Sequence, residues 1–459
     1  MNSSGYIPPW TTPYVIGIGG SSGSGKTSVA TKLVTRINTP WTVLISLDNF
    51  YKPLTVEERK QAFENNYDFD KPESIDLDLA YQCILSLKEG KKVRIPTYSF
   101  TDHDRIPNKF LTIYGASVIV IEGIYALYDQ RLLDLMDLKV YVDADLDICL
   151  ARRLTRDIIS RGRDLHGCIR QWEKFVKPNA DRFVKPTMKA ADAIIPSMSD
   201  NSIATEMLLN HIQSKLQLKS QQHLAELQKL ESYAVSIDSL NTIHKLRQTN
   251  QVKALQTMLL DKSISRDDWV FYFDRLATIL LSFALDDIPT KLKTTKVITP
   301  TGKQLDNPVF VDFDRVTAIN IVRSGDCFMR SLRKTIPSVA VGKLLIQSDS
   351  RTGEPQLHSL FIPPMIENYN QVLLMDAQII SGAAIIMAIQ VLTDHNVDLK
   401  KIKVVVYLAT ETGIRRIVNA TNNQVEIYAG EIISDDKIRT NQCNWARKRF
   451  VAANYFGCK

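Results

Sequence analysis

The stretch VIGIGGSSGSGKTSVA, Val15 to Ala30, constrains this chain more than any other. Gly20-Ser21-Ser22-Gly23-Ser24-Gly25-Lys26-Thr27-Ser28 contains the pattern G-x-x-x-x-G-K-[ST]. A β-branched run precedes it, and an amphipathic run from Ser28 to Arg36 follows. A strand, a glycine-rich loop and a helix N-terminus in that order make a cradle for a phosphate chain. Backbone N–H groups must point inward at the phosphates, so the loop needs residues without bulky side chains. Lys26 adds a mobile positive charge and Thr27 offers a hydroxyl to Mg²⁺, while the helix N-terminus contributes its own positive field. The loop alone does not distinguish a kinase from an ATPase or a GTPase.

The cradle has to sit in a larger sheet. VIGIGG, VLISLD, VIVIEG, LKVYVDAD and ADAIIP each read as a buried strand, and helical patterns separate them. The alternation predicts an α/β fold, a doubly wound, mostly parallel sheet of P-loop NTPase type with helices on both faces. At 459 residues the chain exceeds one ordinary core. The expected division is a flexible tail over 1–13, a first domain over 14–215, a helical connector over 216–247 and a second α/β domain over 248–459. The connector is rich in Gln, Lys and Leu and shows no strand signal; Leu224 and Leu227 are expected to dock on a domain. In the second domain SISRDDWVFYFDRLATILLSFALD reads as a helix with Ser265 as its N-cap. AINIV, GKLLIQSD, QVLLMDAQ, KVVVYLA and VEIYAGEI read as its strands.

Other function classes fit poorly. The net charge of +7 is small for this length and no basic run is concentrated anywhere, which argues against a nucleic-acid partner. MNSSGYIPPW lacks the basic and apolar regions of a secretory signal. The longest mostly apolar stretch, Ile379 to Leu392, is interrupted by Ser381, Gly382 and Gln390. It falls short of the roughly 20 residues a membrane span needs, so no membrane partner is expected. The six cysteines form no CxxC pair, which reads as reduced thiols in a cytoplasmic setting, with a nuclear fraction left open. The seven histidines form no HExxH or similar cluster, so a His-based metal site is not expected.

The acceptor has to be read elsewhere. Asp48, in ISLDNFYKP, follows the second strand, and ligands of doubly wound sheets gather at strand carboxyl ends. A carboxylate there can take a proton from an attacking hydroxyl, or simply cap the next helix. DNFYKP is followed by YDFDKPESID, IPTYSFTDHDR, VIVIEGIYAL and RRLTRDIISRGRDL. With these stretches in this order, residues 14–215 closely resemble the uridine–cytidine kinases of pyrimidine salvage. The resemblance implies transfer of the γ-phosphate of ATP or GTP, with Mg²⁺, to the 5′-hydroxyl of uridine or cytidine. It implies Asp48 as general base beside Lys26, and Asp70 as acceptor of hydrogen bonds from the ribose hydroxyls. Tyr98, Phe100 and His103 would form the base pocket, Tyr51 would line the same cleft, and Arg153 and Gln171 would close on the nucleoside. Arg156, Arg161 and Arg163 would sit on a lid over the donor phosphates. Glu122 would help Thr27 hold Mg²⁺. The related kinases are oligomers, so a homo-oligomer is expected. On the residues alone, RRLTRDIISRGR also reads as a solvated helix face, and Tyr98 or Phe100 as core.

From about Thr249 onward the chain resembles uracil phosphoribosyltransferase, through SRDDWVFYFDRL, IVRSGDCF, PSVAVGKLLIQSD, MDAQIISGAA and the ending YFGCK. The resemblance implies a second α/β domain of phosphoribosyltransferase type. Asp376 would meet ribose hydroxyls, the turn at Ser381 and Gly382 would hold a 5′-phosphate, and Arg323 with Gly325 keeps an arginine–glycine element. Several positions depart from that family. Ala383 and Ala384 replace a glycine and a hydroxyl residue, and Ser348 stands where the active enzymes offer an arginine. RKRFVAANY precedes Phe456 and Gly457 in place of a Pro-Gly-rich loop. Arg447, Lys448 and Arg449 cannot imitate a glycine loop that needs close backbone approach. Uracil transfer is therefore expected to be lost or very weak, leaving a binding or assembly role. The alternatives are a bifunctional salvage enzyme and a non-catalytic nucleotide-binding regulator.

Overall fold

The computed structural model describes residues 6–37, 39, 41–197, 202–231, 237–288, 290–292, 296–306, 308–348, 353–440 and 442–457. The chain divides into two compact units. One is Pro8–Lys219; the other runs from Ser220 onward and includes Tyr6 and Ile7.

The first unit contains β1 (Tyr14–Gly19), β2 (Thr42–Ser46), β3 (Val93–Ser99), β4 (Asp104–Ile113), β5 (Val118–Glu122), β6 (Leu138–Asp143) and β7 (Ala193–Pro196). Five of them form a parallel sheet in the order β2-β5-β1-β6-β7, while β3 and β4 pair as a separate antiparallel hairpin. Every residue of β1 and β5 is buried, as strands covered on both faces require. Successive side chains of a strand point to opposite faces, and the core divides accordingly. Ile16, Ile18, Val118 and Val120 pack with Val29, Ala30, Leu33 and Ile37 of the helix Lys26–Ile37. Val15, Ile119 and Ile121 pack on the other side with Ala80, Cys83, Ile84 and Leu87 of the helix Leu77–Lys88. Because β5 lies between β1 and β2, its last residue, Glu122, is in register with both Ile18 and Ser46.

The second unit contains β8 (Ile243–Lys245), β9 (Thr290–Leu292), β10 (Val309–Val311), β11 (Val316–Val322), β12 (Ala340–Ser348), β13 (Pro355–Phe361), β14 (Gln371–Ile379), β15 (Ile402–Thr410) and β16 (Glu426–Ile433). Seven form a sheet in the order β13-β12-β11-β14-β15-β16-β8, parallel except for the antiparallel edge strand β13. The helix Arg266–Leu285 begins where expected, with Ser265 Oγ accepting from the Asp268 N–H at 3.2 Å. Its Trp269, Phe273, Leu276, Leu280 and Leu281 are buried in this unit's core. No described helix is long and apolar enough to cross a membrane.

Two expected boundaries need correction. Residues 6–13 are not a flexible tail: Trp10 is 1% exposed in a short 3-10 turn, Pro9–Thr11, and its ring lies 6.2 Å from that of Tyr114. Tyr6 is buried as well. Residues 1–5 lie outside the described residues. The stretch 216–247 is not helical throughout, although Leu227 is buried within the helix Ser202–Lys229 as a docking leucine would be. Near its end, β8 joins the second sheet beside β16. Three residues are too few to show a strand period. Their place comes from the partner strand, through the Leu246 N–H to Ala429 O and the Ile427 N–H to Thr242 O.

Candidate active site

The glycines of the phosphate cradle are required by backbone geometry. Gly20 and Gly23 have φ of +144° and +86°, in the region that favours glycine. A Cβ on Gly20 would stand 2.4 Å from the Val142 carbonyl oxygen, and one on Gly23 would stand 2.3 Å from that of Cys149. Ser21 and Ser24 are buried, Ser22 and Gly25 half-buried, and Ser28 exposed on the helix that follows. Lys26 is buried and donates to the Ser21 carbonyl at 3.2 Å. Burial pushes its ammonium pKa down, and the carboxylates of Glu122 and Asp48 partly oppose that. Thr27 Oγ1 lies 3.2 Å from Glu122 Oε2, so the helix start meets the end of β5.

The same cleft carries the acceptor candidates. Asp48 enters it from the 3-10 turn Leu47–Phe50 that follows β2. Its N–H donates to Ser46 Oγ at 3.3 Å, which closes that turn. Asp70, Tyr51, Tyr98, Phe100 and His103 also line the cleft. Tyr51 and Tyr98 have ring centroids 5.1 Å apart, and Tyr98 meets Phe100 edge-on at 5.4 Å. His103 is buried at φ +53° and stacks on Phe69 at 5.1 Å. The Tyr51 hydroxyl is pushed well above its ordinary pKa by burial, reinforced by Asp48 and Asp70. Asp70 is placed from behind. Its N–H donates to Asp68 Oδ1 at 3.0 Å, and its carbonyl accepts from the Tyr125 hydroxyl. Both Asp68 carboxylate oxygens in turn accept from Asn179 at 2.9 Å.

The arginine-rich run is the helix Leu146–Arg161, closed by Gly162 in the left-handed conformation. Arg153, Arg156 and Arg163 line the cleft. Arg153 Nη1 donates to Ser22 Oγ at 3.0 Å and to Asp70 Oδ1 at 3.2 Å, bridging the phosphate loop and the acidic pocket. Gln171 stands one step back, its Oε1 accepting from Arg163 Nη1 at 3.2 Å. The Arg161 side chain lies outside the described residues. Arg152 faces the other way and fastens the loop to the chain after β7, donating to Ser24 O at 3.4 Å and Ser197 Oγ at 2.8 Å.

Sequence reasoning missed Phe69, Asp68, Tyr125 and Asp157. Phe69 is the neighbour of Asp70 in FDKP, and its alternation with Tyr67 was the available signal. Asp157 carried no signal, since an aspartate among arginines on a helix reads as a solvated pair.

In the second unit, Arg323 follows β11, Ser381 and Gly382 follow the neighbouring strand β14, and Asp376 lies within β14. Asp376 is buried and accepts from the Ser324 hydroxyl. Burial raises its carboxyl pKa to about 6, against the pull of Ser324 and two backbone N–H groups. Gly382, at φ +77°, caps the helix Ala383–Asp394. Ser348 is exposed at the end of β12. The C-terminal segment is helical over Phe450–Phe456, and Gln378 fastens it to β14. Gln378 donates to Lys448 O at 3.3 Å and accepts from the Val451 N–H at 2.8 Å. Lys448 and Arg449 are exposed; the Arg447 side chain lies outside the described residues.

Residues 15–204 match the phosphoribulokinase / uridine kinase family, and residues 246–443 match the uracil phosphoribosyltransferase family. The uridine kinase of Saccharomyces cerevisiae is 67% identical over 457 residues, which cover 99% of this chain and 91% of the relative. The uridine kinase of Schizosaccharomyces pombe is 39% identical over 413 residues, 90% of each chain. The uridine-cytidine kinase-like 1 protein of Mus musculus is 39% identical over 421 residues, 90% of this chain and 75% of that one. At that identity and coverage the chain belongs to the uridine kinase family, with a domain of uracil phosphoribosyltransferase type carried behind the kinase fold.

Proposed function

We propose that the chain is a pyrimidine ribonucleoside kinase of the salvage route, transferring the γ-phosphate of ATP or GTP to the 5′-hydroxyl of uridine or cytidine to give UMP or CMP. One observation carries this reading: a single cleft is lined by Lys26 and Thr27 of the phosphate cradle together with Asp48, Asp70 and the aromatic rings of Tyr51, Tyr98 and Phe100. Phosphoryl transfer is mostly positioning plus neutralisation of charge. Lys26, Arg156 and Arg163 neutralise the donor phosphates. Asp48 takes the proton of the attacking 5′-hydroxyl, which adds an electron pair to the γ-phosphorus as the bond to the leaving diphosphate breaks. Asp70 accepts from the vicinal ribose hydroxyls, and the rings of Tyr98, Phe100 and His103 receive the base. A site built for a ribose hydroxyl disfavours the deoxynucleoside, because its carboxylate would be left unpaired.

Thr27 and the buried Glu122 offer Mg²⁺ two hard oxygen donors side by side, a fit for an ion that keeps most of its ligands as water and phosphate oxygen. When bound, Mg²⁺ would neutralise charge on the phosphate chain. The second unit is proposed to have lost uracil transfer, because a pinned helical ending stands in place of an open glycine loop. A homo-oligomer belongs to the same proposal and is checked by light scattering.

The test is one radiolabelled assay on the full chain, with uridine plus ATP in one arm and uracil plus phosphoribosyl pyrophosphate in the other. UMP from uridine alone is expected. UMP from uracil would restore the bifunctional reading, and product in neither arm would leave a non-catalytic nucleotide binder.

A further inference from the structure

Asp157 lies near the end of the helix Leu146–Arg161 and is 1% exposed. Three guanidinium groups converge on it. Arg156 Nε donates to its Oδ1 at 2.8 Å, while Arg153 Nε and Arg163 Nη1 stand 3.5 and 3.8 Å from its Oδ2. Its main chain takes part as well. The Asp157 carbonyl accepts from the Gly162 and Arg163 N–H groups, the latter at 3.1 Å. Gly162, at φ +64°, turns the chain so that Arg163 comes back beside the residue it has just passed.

A solvated helix face needs none of this. Burying a carboxylate is costly unless it is paired, and pairing it with three arginines holds like charges close together. Those three arginines are the ones that line the cleft. Arg153 also reaches Ser22 in the phosphate loop and Asp70 in the nucleoside pocket. One carboxylate therefore stands behind arginines that reach both the phosphate loop and Asp70, and three positive charges against it leave net positive charge facing the place of a polyphosphate.

We propose that Asp157 is a positioning residue for phosphoryl transfer: it aims Arg156 and Arg163 at the donor phosphates and, through Arg153, ties that setting to the nucleoside pocket. The proposal rests on the kinase reading above. Asp157 touches neither substrate and acts by fixing rotamers of groups that do, so its removal should be felt in turnover more than in affinity.

The experiment is a double-mutant cycle on the full chain with uridine and ATP, comparing wild type, Asp157→Asn, Arg156→Ala and the double variant. Asn keeps the size and one acceptor but removes the charge. Asp157→Asn should lower kcat about 100-fold with both KM values within about fivefold. In the Arg156→Ala background the same change should cost only about tenfold, because one of the three groups it positions is already gone. Fold losses that multiply across the two backgrounds, or an unchanged kcat, would overturn the assignment. If Asp157→Asn loses the native circular dichroism spectrum, Asp157→Glu carries the cycle instead. Loss of that spectrum in both variants would mark the carboxylate as purely structural and overturn the proposal too. A wild-type chain that fails to phosphorylate uridine would sink the kinase reading instead, so the two failures are distinguishable.

Discussion

Arg153 Nη1 lies 3.2 Å from Asp70 Oδ1, and this nearly buried pair joins the helix Leu146–Arg161 to the pocket proposed for ribose. With Arg153 on one side and the Asp68 hydrogen bond to its N–H behind it, Asp70 is held in place before any nucleoside arrives. Such preorganisation lowers the entropy lost on binding. It also means that a ribose must share Asp70 with a cation already there.

Replacing Asp70 with Asn should therefore act on specificity and on stability together. The preference for uridine over 2′-deoxyuridine in kcat/KM should shrink by at least about tenfold, since an amide is a poorer acceptor for two hydroxyls. Arg153 would lose one anionic partner but keep Asp157. Denaturant unfolding should show a loss of about 2 kcal/mol, less than the cost of fully orphaning a buried charge. Unchanged discrimination would place the ribose elsewhere.

Asp48→Asn separates binding from chemistry. Uridine affinity measured by calorimetry should stay within a factor of about three, while kcat falls by about 10³. Near-normal turnover in the variant would remove Asp48 as the base.

Asp376 makes the second unit sensitive to pH. Its native carboxyl pKa is raised to about 6 from the ordinary 3.8, so the folded state holds this proton more tightly than the unfolded state. The resulting stabilisation is complete below about pH 4 and is lost as pH rises through about 6. Asp376→Asn cannot lose a proton. It should match wild type near pH 4 and exceed it above pH 7 by up to about 3 kcal/mol. Melting temperatures measured across that range check this, and a pH-independent difference would contradict it. Uridine phosphorylation by the variant should be unchanged.

Trp10→Ala should destabilise the first unit by about 3 kcal/mol, the usual cost of emptying a buried aromatic site. A chain beginning at Tyr14 should be destabilised to a similar degree. Unfolding midpoints equal to wild type would return residues 6–13 to the status of a loose tail.

The phosphate cradle was legible in the sequence because backbone geometry allows so few residues there: the φ values at Gly20 and Gly23 exclude side chains. The fully buried strands β1 and β5 were legible for a similar reason, since full burial in a parallel sheet demands unbroken apolar runs, whereas β2 and β7, also read as buried, are edge strands with mostly half-buried or exposed residues. Asp48 was singled out by its place after the second strand, where a capping role was the alternative, whereas its role and the placing of Asp70 and His103 came from family resemblance, because no local rule distinguishes a pocket aspartate from a capping one. What stayed hidden depends on distant partners. Asp157 looks like a surface charge until the chain turns at Gly162 and returns Arg163 to it. β8 is a strand only because β16 offers it an edge. Trp10 sits in a polar, proline-rich opening, and its burial beside Tyr114 depends on residues about a hundred positions away.

The near-contact between Gly23 and the Cys149 carbonyl has an evolutionary reach. The base of the arginine helix leans on the bend of the phosphate loop with no room for one more carbon atom. The two therefore cannot drift independently through mutation: a larger residue at 23 would push aside the platform from which the guanidinium groups reach. Variation in donor choice among such enzymes should accordingly be sought in side chains around the rim, with this seam left as it is.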